Sequence, residues 1–153
     1  MTPPNDTLVK LRFDLPPGEW GKVTCEWLWG EPVGGHHYRL RDTPFCAYGY
    51  AFLDVVVAEP DEDGALVVKA AAKRSGHSTY RVFVATPKRQ SAIEDYQQQL
   101  IALGCSIERA WTRLFAIDVP AASDVYAVQE ILGRGQSEGV WQFEEAFMGH
   151  RFS

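Results

Sequence analysis

The pattern of apolar and polar positions over residues 79–147 predicts strand, helix, strand, strand, helix, strand. Short runs such as TYRVFVA and RLFAIDV have the length and β-branched content of strands. Two longer segments, SAIEDYQQQLIALG and SDVYAVQEILG, carry apolar residues at helical spacing. A β-α-β-β-α-β order is typical of a ferredoxin-like module. Modules of this kind usually bind something and carry no chemistry of their own.

Helix boundaries are predicted from capping residues. Ser91 and Glu94 have the spacing of a capping box at the start of the first helix. The second helix is predicted to begin at Ser123 and Asp124. Glycine after a helix favours its end, so we expect that helix to stop at Gly133 and Gly135.

Period-two alternation dominates the first 75 residues. Residues 8–15, LVKLRFDL, alternate strictly and predict a half-buried strand. Turn signals at Gly34-Gly35 and Asp63-Gly64 separate further strands, roughly five in all. Cys25, Trp27 and Trp29 alternate along the second strand and are predicted to form a stripe that faces the core. The pattern predicts a small antiparallel β-barrel or rolled sheet of SH3-like type.

These patterns together predict an α+β chain in two modules. Residues 1–7 are polar, contain two prolines and are expected to form a flexible tail. The barrel module is assigned to 8–77 and the ferredoxin-like module to 78–153. The segment RSGHS at 74–78 joins them, and because no long linker intervenes we expect the modules to pack together.

The net charge of the chain favours some classes of binding partner over others. The net charge is −5, with 15 Lys and Arg against 20 Asp and Glu. Nucleic-acid binders present a basic face, and RLFAIDV lacks the RNA-recognition signature of its strand, so we expect no nucleic-acid partner. Complementary charge steers association, which favours a basic protein partner.

The same composition predicts a cytoplasmic protein. No apolar run approaches the roughly 20 residues that cross a membrane. The segment MTPPNDTLVKLRF lacks the basic and apolar regions of a signal peptide. Cys25, Cys46 and Cys105 are odd in number and form no CxxC, which suits reduced thiols.

No motif for a metal, a cofactor or an active site is complete. His36 and His37 are adjacent, point to opposite sides of an extended chain and have no further ligand at suitable spacing, so we expect an exposed turn there. His77 with one cysteine could form a Cys-His enzyme. No nucleophile signature surrounds His77, which favours a histidine hydrogen-bonded to backbone. We therefore expect neither a cofactor nor an enzyme.

Four blocks, GEWGKVTCEWLW, YRLRDTPF, DVVVAEPDEDG and RSGHSTYRV, resemble a family of small stand-alone bacterial domains of unknown function. The resemblance extends over most of the chain and is strongest over residues 8–84. It implies a bacterial cytoplasmic protein with a barrel followed by a ferredoxin-like module. It brings no catalytic residues.

Three hypotheses of function follow. The first is a stoichiometric inhibitor, an immunity protein that neutralises a bacterial toxin by occluding its active site, because the chain is small, acidic and rich in aromatics. Its expected contacts are Glu19, Trp20, Glu59, Asp61, Glu62, Asp63, Glu144 and Glu145. The second is a small-ligand or regulatory domain with its ligand between the modules, near His77, Tyr48 and Tyr50. The third is the Cys-His enzyme. The sequence leaves the oligomeric state open.

Overall fold

The structure is a computed structural model, and it describes residues 7–84, 89–111 and 113–150. The tail predicted over 1–7 therefore lies outside the described residues except for Thr7. Five strands form a closed barrel in the order β1-β2-β3-β4-β5. Their bounds are β1 Val9–Asp14, β2 Cys25–Gly34, β3 His37–Leu40, β4 Val55–Pro60 and β5 Leu66–Lys73.

The five-stranded barrel closes through one parallel pair of strands. Successive strands are antiparallel, while β1 pairs with β5 in parallel through Leu11↔Leu66 and Arg12↔Val67. The reason is the odd number of strands. When five strands each reverse the direction of the one before, the first and the fifth run the same way, and the closing pair has to be parallel.

A four-stranded antiparallel sheet and two helices follow. The four strands of this sheet lie side by side in the order β7-β8-β6-β9. The prediction of an α+β chain with two helices and antiparallel sheets is confirmed. The elements are β6 Ser78–Phe83, α1 Gln90–Ala102, β7 Ser106–Trp111, β8 Leu114–Val119, α2 Val125–Ser137 and β9 Gln142–Phe147.

The chain has two apolar cores. One fills the barrel and includes Leu11, Phe13, Leu28 and Val56. The other lies between the second sheet and its helices and includes Tyr80, Val82, Ile117 and Leu132. Alternation along β6 turns its remaining side chains to the opposite face. That face packs against the barrel: the hydroxyl of Thr79 donates to the carbonyl of Tyr50 (3.0 Å).

The stripe of Cys25, Trp27 and Trp29 does not face the barrel core, so that prediction was wrong. The register sets Leu11 opposite Leu28, and Lys10 opposite Trp29. Opposite residues share a face, so the strong inward alternation of β1 sends Leu28 inward and the stripe outward. Trp27 is 44% exposed as a result.

Helix α1 begins one residue before the predicted capping box. Its N-cap is Arg89, which makes no side-chain capping hydrogen bond, and Ser91 lies inside the first turn. The capping box at Ser91 and Glu94 was therefore wrong. The N-cap of α2 is Asp124 as predicted, because its carboxylate accepts the N–H groups of residues 126 and 127.

Helix α2 runs through both glycines that were predicted to end it. It continues to Ser137, and Gly135 is buried. The indole of Trp141 lies against the helix there: a Cβ at position 135 would come within 2.9 Å of Trp141 Cζ2, and nearer still to Nε1 and Cε2. Gly135 is thus a packing glycine and not a stop signal. No helix among the described residues has both the length and the apolar character to span a membrane.

We predict opposite effects for two alanine substitutions in α2. Gly133→Ala meets nothing within 4 Å, so it should raise the free energy of unfolding by about 0.5–1 kcal/mol, the helical advantage of alanine. Gly135→Ala should lower it by about 1–3 kcal/mol, because the new methyl group overpacks against Trp141. Urea denaturation of both variants measures this, and equal stabilisation by the two substitutions would contradict the packing described.

Candidate functional site

A buried arginine lies where the barrel meets the second sheet. Arg81 is on the central strand β6, points toward the barrel and is 2% exposed. Its Nη2 donates to the carbonyl of Ala47 (2.6 Å), and its Nη1 donates to Glu144 Oε1 (3.2 Å). The guanidinium thus links a loop of the barrel to β9.

Aromatic rings cover the rest of this guanidinium. Its Cζ lies 4.2 Å from the ring centroid of Tyr48 and 5.4 Å from that of Trp20. The Tyr48 hydroxyl donates to the same Glu144 oxygen (2.7 Å). Burial, followed by this hydrogen bond to Glu144, raises the pKa of Tyr48 to about 12. The Nε of Arg81 is buried and has no hydrogen-bond partner among the described residues.

Carboxylates fold the barrel loop that meets Arg81, residues 41–54. Glu26 accepts three successive backbone N–H groups, those of residues 45–47, at 2.6–3.0 Å. Asp54 is fully buried and accepts the N–H groups of Ala51 and Ser75 and a guanidinium N–H of Arg74. These bonds fix the path of the loop, and with it the carbonyl and the ring that Arg81 contacts.

Aromatic side chains, most of them exposed, line the boundary between the modules. We call the set Trp20, Trp27, Tyr48, Phe83 and Trp111 the aromatic groove. Trp20 and Trp111 are in contact, with ring centroids 6.2 Å apart. Three members are nearly half exposed: Trp27 (44%), Phe83 (48%) and Trp111 (49%).

Two pockets open into the aromatic groove. The first, of about 270 Å³, is lined by Trp20, Arg81, Phe83, Leu114, Gln142, Phe143 and Glu144. The second, of about 560 Å³, lies between β2 and β7 and is lined mainly by Glu26, Trp27, Phe45, Ile107, Glu108, Arg109 and Trp111. The surface therefore combines aromatic rings with charged side chains of both signs.

Some predicted contact residues meet at this surface. Trp20 and Glu144 are both in contact with Tyr48 or Arg81, and the exposed Glu19 precedes Trp20 in the chain. The neighbouring Glu145 is exposed too, but alternation along β9 separates its side chain from that of Glu144.

The acidic turn, residues 59–63, contains one carboxylate that stabilises the turn and three that are exposed to solvent. Asp61 accepts the N–H groups of Asp63 and Ala65 and pairs with Arg12 (2.9 Å). Desolvation works to raise the pKa of Asp61, but these backbone and guanidinium hydrogen bonds outweigh it and lower the pKa. Asp61 therefore holds the turn together. The other members, Glu59, Glu62 and Asp63, are exposed.

The predicted ligand-pocket residues contact different neighbours. The ring of His77 bonds to the Asp118 carboxylate (Nδ1–Oδ1 2.8 Å), and not to backbone as expected. Tyr50 packs edge-on against Phe13 in the barrel (5.0 Å), whereas Tyr48 lies over Arg81. His77, Tyr48 and Tyr50 all belong to the module boundary, but no described contact unites them.

A serine–histidine pair occurs beside His77. Ser78 Oγ lies 2.6 Å from His150 Nδ1, and His150 Nε2 lies 2.9 Å from the carbonyl of Pro120. Ser78 is fully buried, and its oxygen also accepts the N–H groups of residues 149 and 150. These hydrogen bonds hold Gly149 and His150 against β6.

Cys46 and Cys105 are buried, and Cys25 is half-buried. Burial raises the pKa of the Cys46 thiol to about 11 and that of Cys105 to about 12, so both are thiols at neutral pH and weak nucleophiles. His36 and His37 are exposed as expected. No group of three or more His, Cys, Asp or Glu side chains in the described part of the chain could hold a metal ion.

Sequence reasoning missed Arg81, Phe83 and Trp111. The sequence held a signal for the first two. In the strand TYRVFV, Tyr80 and Val82 share the face that packs into the core. Alternation therefore places Arg81 and Phe83 together on the opposite face of the strand. An arginine flanked by apolar residues in a central strand indicates a buried partner. Trp111 offered no such signal, because its neighbour Trp20 lies in a distant loop.

Comparison with known proteins gives a family and a fold. A family model described as "Domain of unknown function (DUF4265)" matches residues 26–143. No curated protein matches the chain. A solved structure described as "Novel crystal structure of a hypothetical protein from Neisseria gonorrhoeae" is similar, with a TM-score of 0.77 and 22% identity over 94% of this chain and 96% of that chain. At this identity, the likeness shows the fold alone.

We predict that Arg81→Met lowers the free energy of unfolding by about 1–3 kcal/mol, because the Ala47 carbonyl loses its donor in a buried position. The matched control is Arg134→Met, which removes a half-exposed guanidinium paired with Glu130 on the surface of α2. Such surface pairs contribute about 0–1 kcal/mol. Urea denaturation measures both variants, and an Arg81→Met protein as stable as the control would contradict the role given to Arg81.

Proposed function

We propose that this chain, which belongs to the family described as a domain of unknown function (DUF4265), is a stoichiometric binding protein that docks a basic protein onto the aromatic groove. In its most specific form, the proposal is an immunity protein that neutralises a bacterial toxin by occluding the toxin's active site. The observation that carries it is the clustering of exposed aromatic rings at the boundary of the two modules.

Aromatic exposure on this scale supports an interface. Trp27, Phe83 and Trp111 leave nearly half of each side chain in water, beside the half-buried Trp20. Exposed apolar clusters mark docking surfaces, and tryptophan and tyrosine are enriched among the residues that dominate binding energy. A partner that covers this groove removes the exposed rings from water, and this burial of apolar surface stabilises the complex.

Charge supports a basic partner. The chain carries a net charge of −5. Three carboxylates line the two pockets, those of Glu26, Glu108 and Glu144, against two arginines, Arg81 and Arg109. The exposed Glu19 precedes Trp20 in the chain and adds a further negative charge. A negative rim around aromatic anchors steers a basic protein to the groove and weakens as salt screens it. An active site that binds an anionic substrate is a basic surface of this kind.

We also propose a fold class for each module and a cytoplasmic location for the protein. Strand order β7-β8-β6-β9 with two helices supports a ferredoxin-like class for residues 78–153, and the closed five-stranded barrel supports an SH3-like class for 8–77. The three free cysteines support a cytoplasmic location, where thiols stay reduced.

A small ligand between the modules is the second candidate. The pocket of about 270 Å³ is lined by Trp20 and Arg81. The Nε1 of Trp20 and the Nε of Arg81 are buried donors without a hydrogen-bond partner in the described part of the chain. A ligand with an apolar body and one acceptor group would complement such a pocket.

We predict that Trp111→Ala weakens binding of the basic protein encoded by the neighbouring gene by roughly 30-fold or more, mainly through faster dissociation, since a buried anchor contributes on the order of 2 kcal/mol. The control is Ile101→Ala, which removes a side chain of similar exposure (48%) from helix α1, outside the aromatic groove. Surface-based kinetics at two salt concentrations measures both rates, with survival on co-expression as the functional readout.

Two results would count against this function. Equal loss of affinity in the Trp111→Ala and Ile101→Ala proteins would remove the groove from the interface. Failure of the neighbouring product to bind, together with tight retention of a small metabolite, would replace the proposed function with the second candidate.

A further inference from the structure

We propose that the outer edge of β7 binds an extended segment of the partner protein, which adds a further strand to the sheet beside the aromatic groove. The inference rests on the proposed function, since it names the form in which the partner meets the groove. Two features carry it: the unpaired backbone groups of this edge and the cavities that lie on its two faces.

Strand β7 is the open edge among the strands that the structure describes. The barrel is closed, and a closed barrel has no edge. At the other side of the second sheet, β9 is covered. The Gly49 N–H of the barrel loop donates to the Ala146 carbonyl (3.1 Å), and the Phe143 N–H donates to Gln136 Oε1 (3.1 Å). Strand β7, in contrast, pairs with β8 alone within the described ranges.

The register identifies which backbone groups of β7 face outward. In an antiparallel ladder, a residue points its N–H and C=O to the same neighbour, and successive residues alternate. The Val84 N–H donates to the Arg113 carbonyl in the register of β6 and β8, so odd-numbered residues of β8 face β6 and even-numbered ones face β7. Even-numbered residues of β8 lie opposite even-numbered residues of β7. Ile107 and Arg109 therefore direct their N–H and C=O groups to the outer edge.

Two cavities flank this edge, and Ile107 and Arg109 line both of them. The barrel side has the cavity of about 560 Å³ that contains Trp27 and Trp111. The helix side has a cavity of about 240 Å³, with the exposed Ile101 of α1 as an apolar wall. An added strand points alternate side chains to opposite faces. The segment that fits therefore carries an apolar side chain toward α1 and a large side chain toward the aromatic groove.

Charge favours a partner strand over a second copy of this chain. The register that pairs all the outward groups of Ile107 and Arg109 with those of a copy sets Glu108 opposite Glu108 of the copy. Like charges directly opposite each other are destabilising. A basic partner can place a neutral or positive side chain at that position, and the net charge of −5 attracts such a partner.

Proline at the edge separates the backbone contact from the side-chain contact. Arg109→Pro removes an outward N–H and spares the pairing with β8, because proline is tolerated where the N–H of an edge strand faces solvent. Arg109→Ala is the matched control, which loses the same side chain and keeps the N–H. Arg109→Pro should weaken binding roughly tenfold relative to Arg109→Ala, as expected for one lost hydrogen bond. Urea denaturation checks that both variants are folded.

Main-chain hydrogen bonds supply most of the affinity when a strand is added to a sheet edge. The loss of one side chain beside the edge, as in Ile101→Ala, should therefore cost less affinity than the loss of the anchor in Trp111→Ala.

The direct test is amide hydrogen exchange, measured by NMR with a blocked Lys-Val-Lys-Val-Lys peptide as the probe. The control is the same peptide N-methylated at every residue, which keeps the side chains and has no backbone donors. The amides of Ile107 and Arg109 should exchange rapidly in the free chain. They should slow roughly tenfold when the probe is present at about ten times its Kd, and the control peptide should leave them unchanged. The basic protein encoded by the neighbouring gene should protect the same amides.

Four results would overturn the site. Slow exchange of these amides in the free chain would show that another segment of the chain already covers the edge. Exchange that slows with the concentration of the chain alone would assign the edge to a second copy. The other two are amides that the probe does not protect, and equal binding by the Arg109→Pro and Arg109→Ala proteins.

The site and the proposed function fail separately. A basic protein that binds the chain without protecting the amides of Ile107 and Arg109 would leave the function standing without this edge. Protection by the peptide in a chain that binds no basic protein would leave the edge standing without the function.

Discussion

Burying a guanidinium between two modules is unfavourable unless its N–H groups find acceptors and its faces find rings. The guanidinium of Arg81 has most of these acceptors and rings. Its two Nη atoms reach the carbonyl of Ala47 and the carboxylate of Glu144, and its planar group lies beside Tyr48 and Trp20. Ala47, Tyr48 and Trp20 belong to the barrel module, whereas Glu144 lies beside Arg81 on the neighbouring strand β9. Arg81 therefore helps to fix the barrel on the sheet, together with the hydrogen bonds from the Thr79 hydroxyl to the Tyr50 carbonyl and from the Gly49 N–H to the Ala146 carbonyl.

The barrel loop that receives Arg81 is held by acids and not by apolar packing alone. Asp54 and Glu26 accept backbone N–H groups along residues 41–54, and Leu53 adopts a positive φ of 68°, the only non-glycine to do so among the described residues. A loop fixed by this much hydrogen bonding can present rings to solvent without collapsing around them. The ring of Tyr48 is thus held in a preorganised loop, which would lower the entropic cost of the proposed binding.

The elements with strong periodicity could be predicted from the sequence, because local alternation decides which face of a strand or helix is buried. Two errors arose where a tertiary contact overrides that pattern: Gly135 continues a helix because Trp141 packs on it, and Trp27 faces outward because β1 fixes the register of β2. The candidate site was only partly predictable. Trp20 and Glu144 were predicted contacts, but the rings and the arginine that join them come from segments far apart in the chain.

The most direct test of this account is an NMR measurement on the Arg81 guanidinium of the wild-type protein. The account predicts nuclear Overhauser cross-peaks from its N–H protons to the rings of Tyr48 and Trp20, together with slow exchange with water. The half-exposed Arg134 serves as an internal reference in the same spectrum. An Arg81 that shows no contact with either ring and exchanges as fast as Arg134 would contradict the account, since Arg81 would then not be buried between the barrel and the sheet.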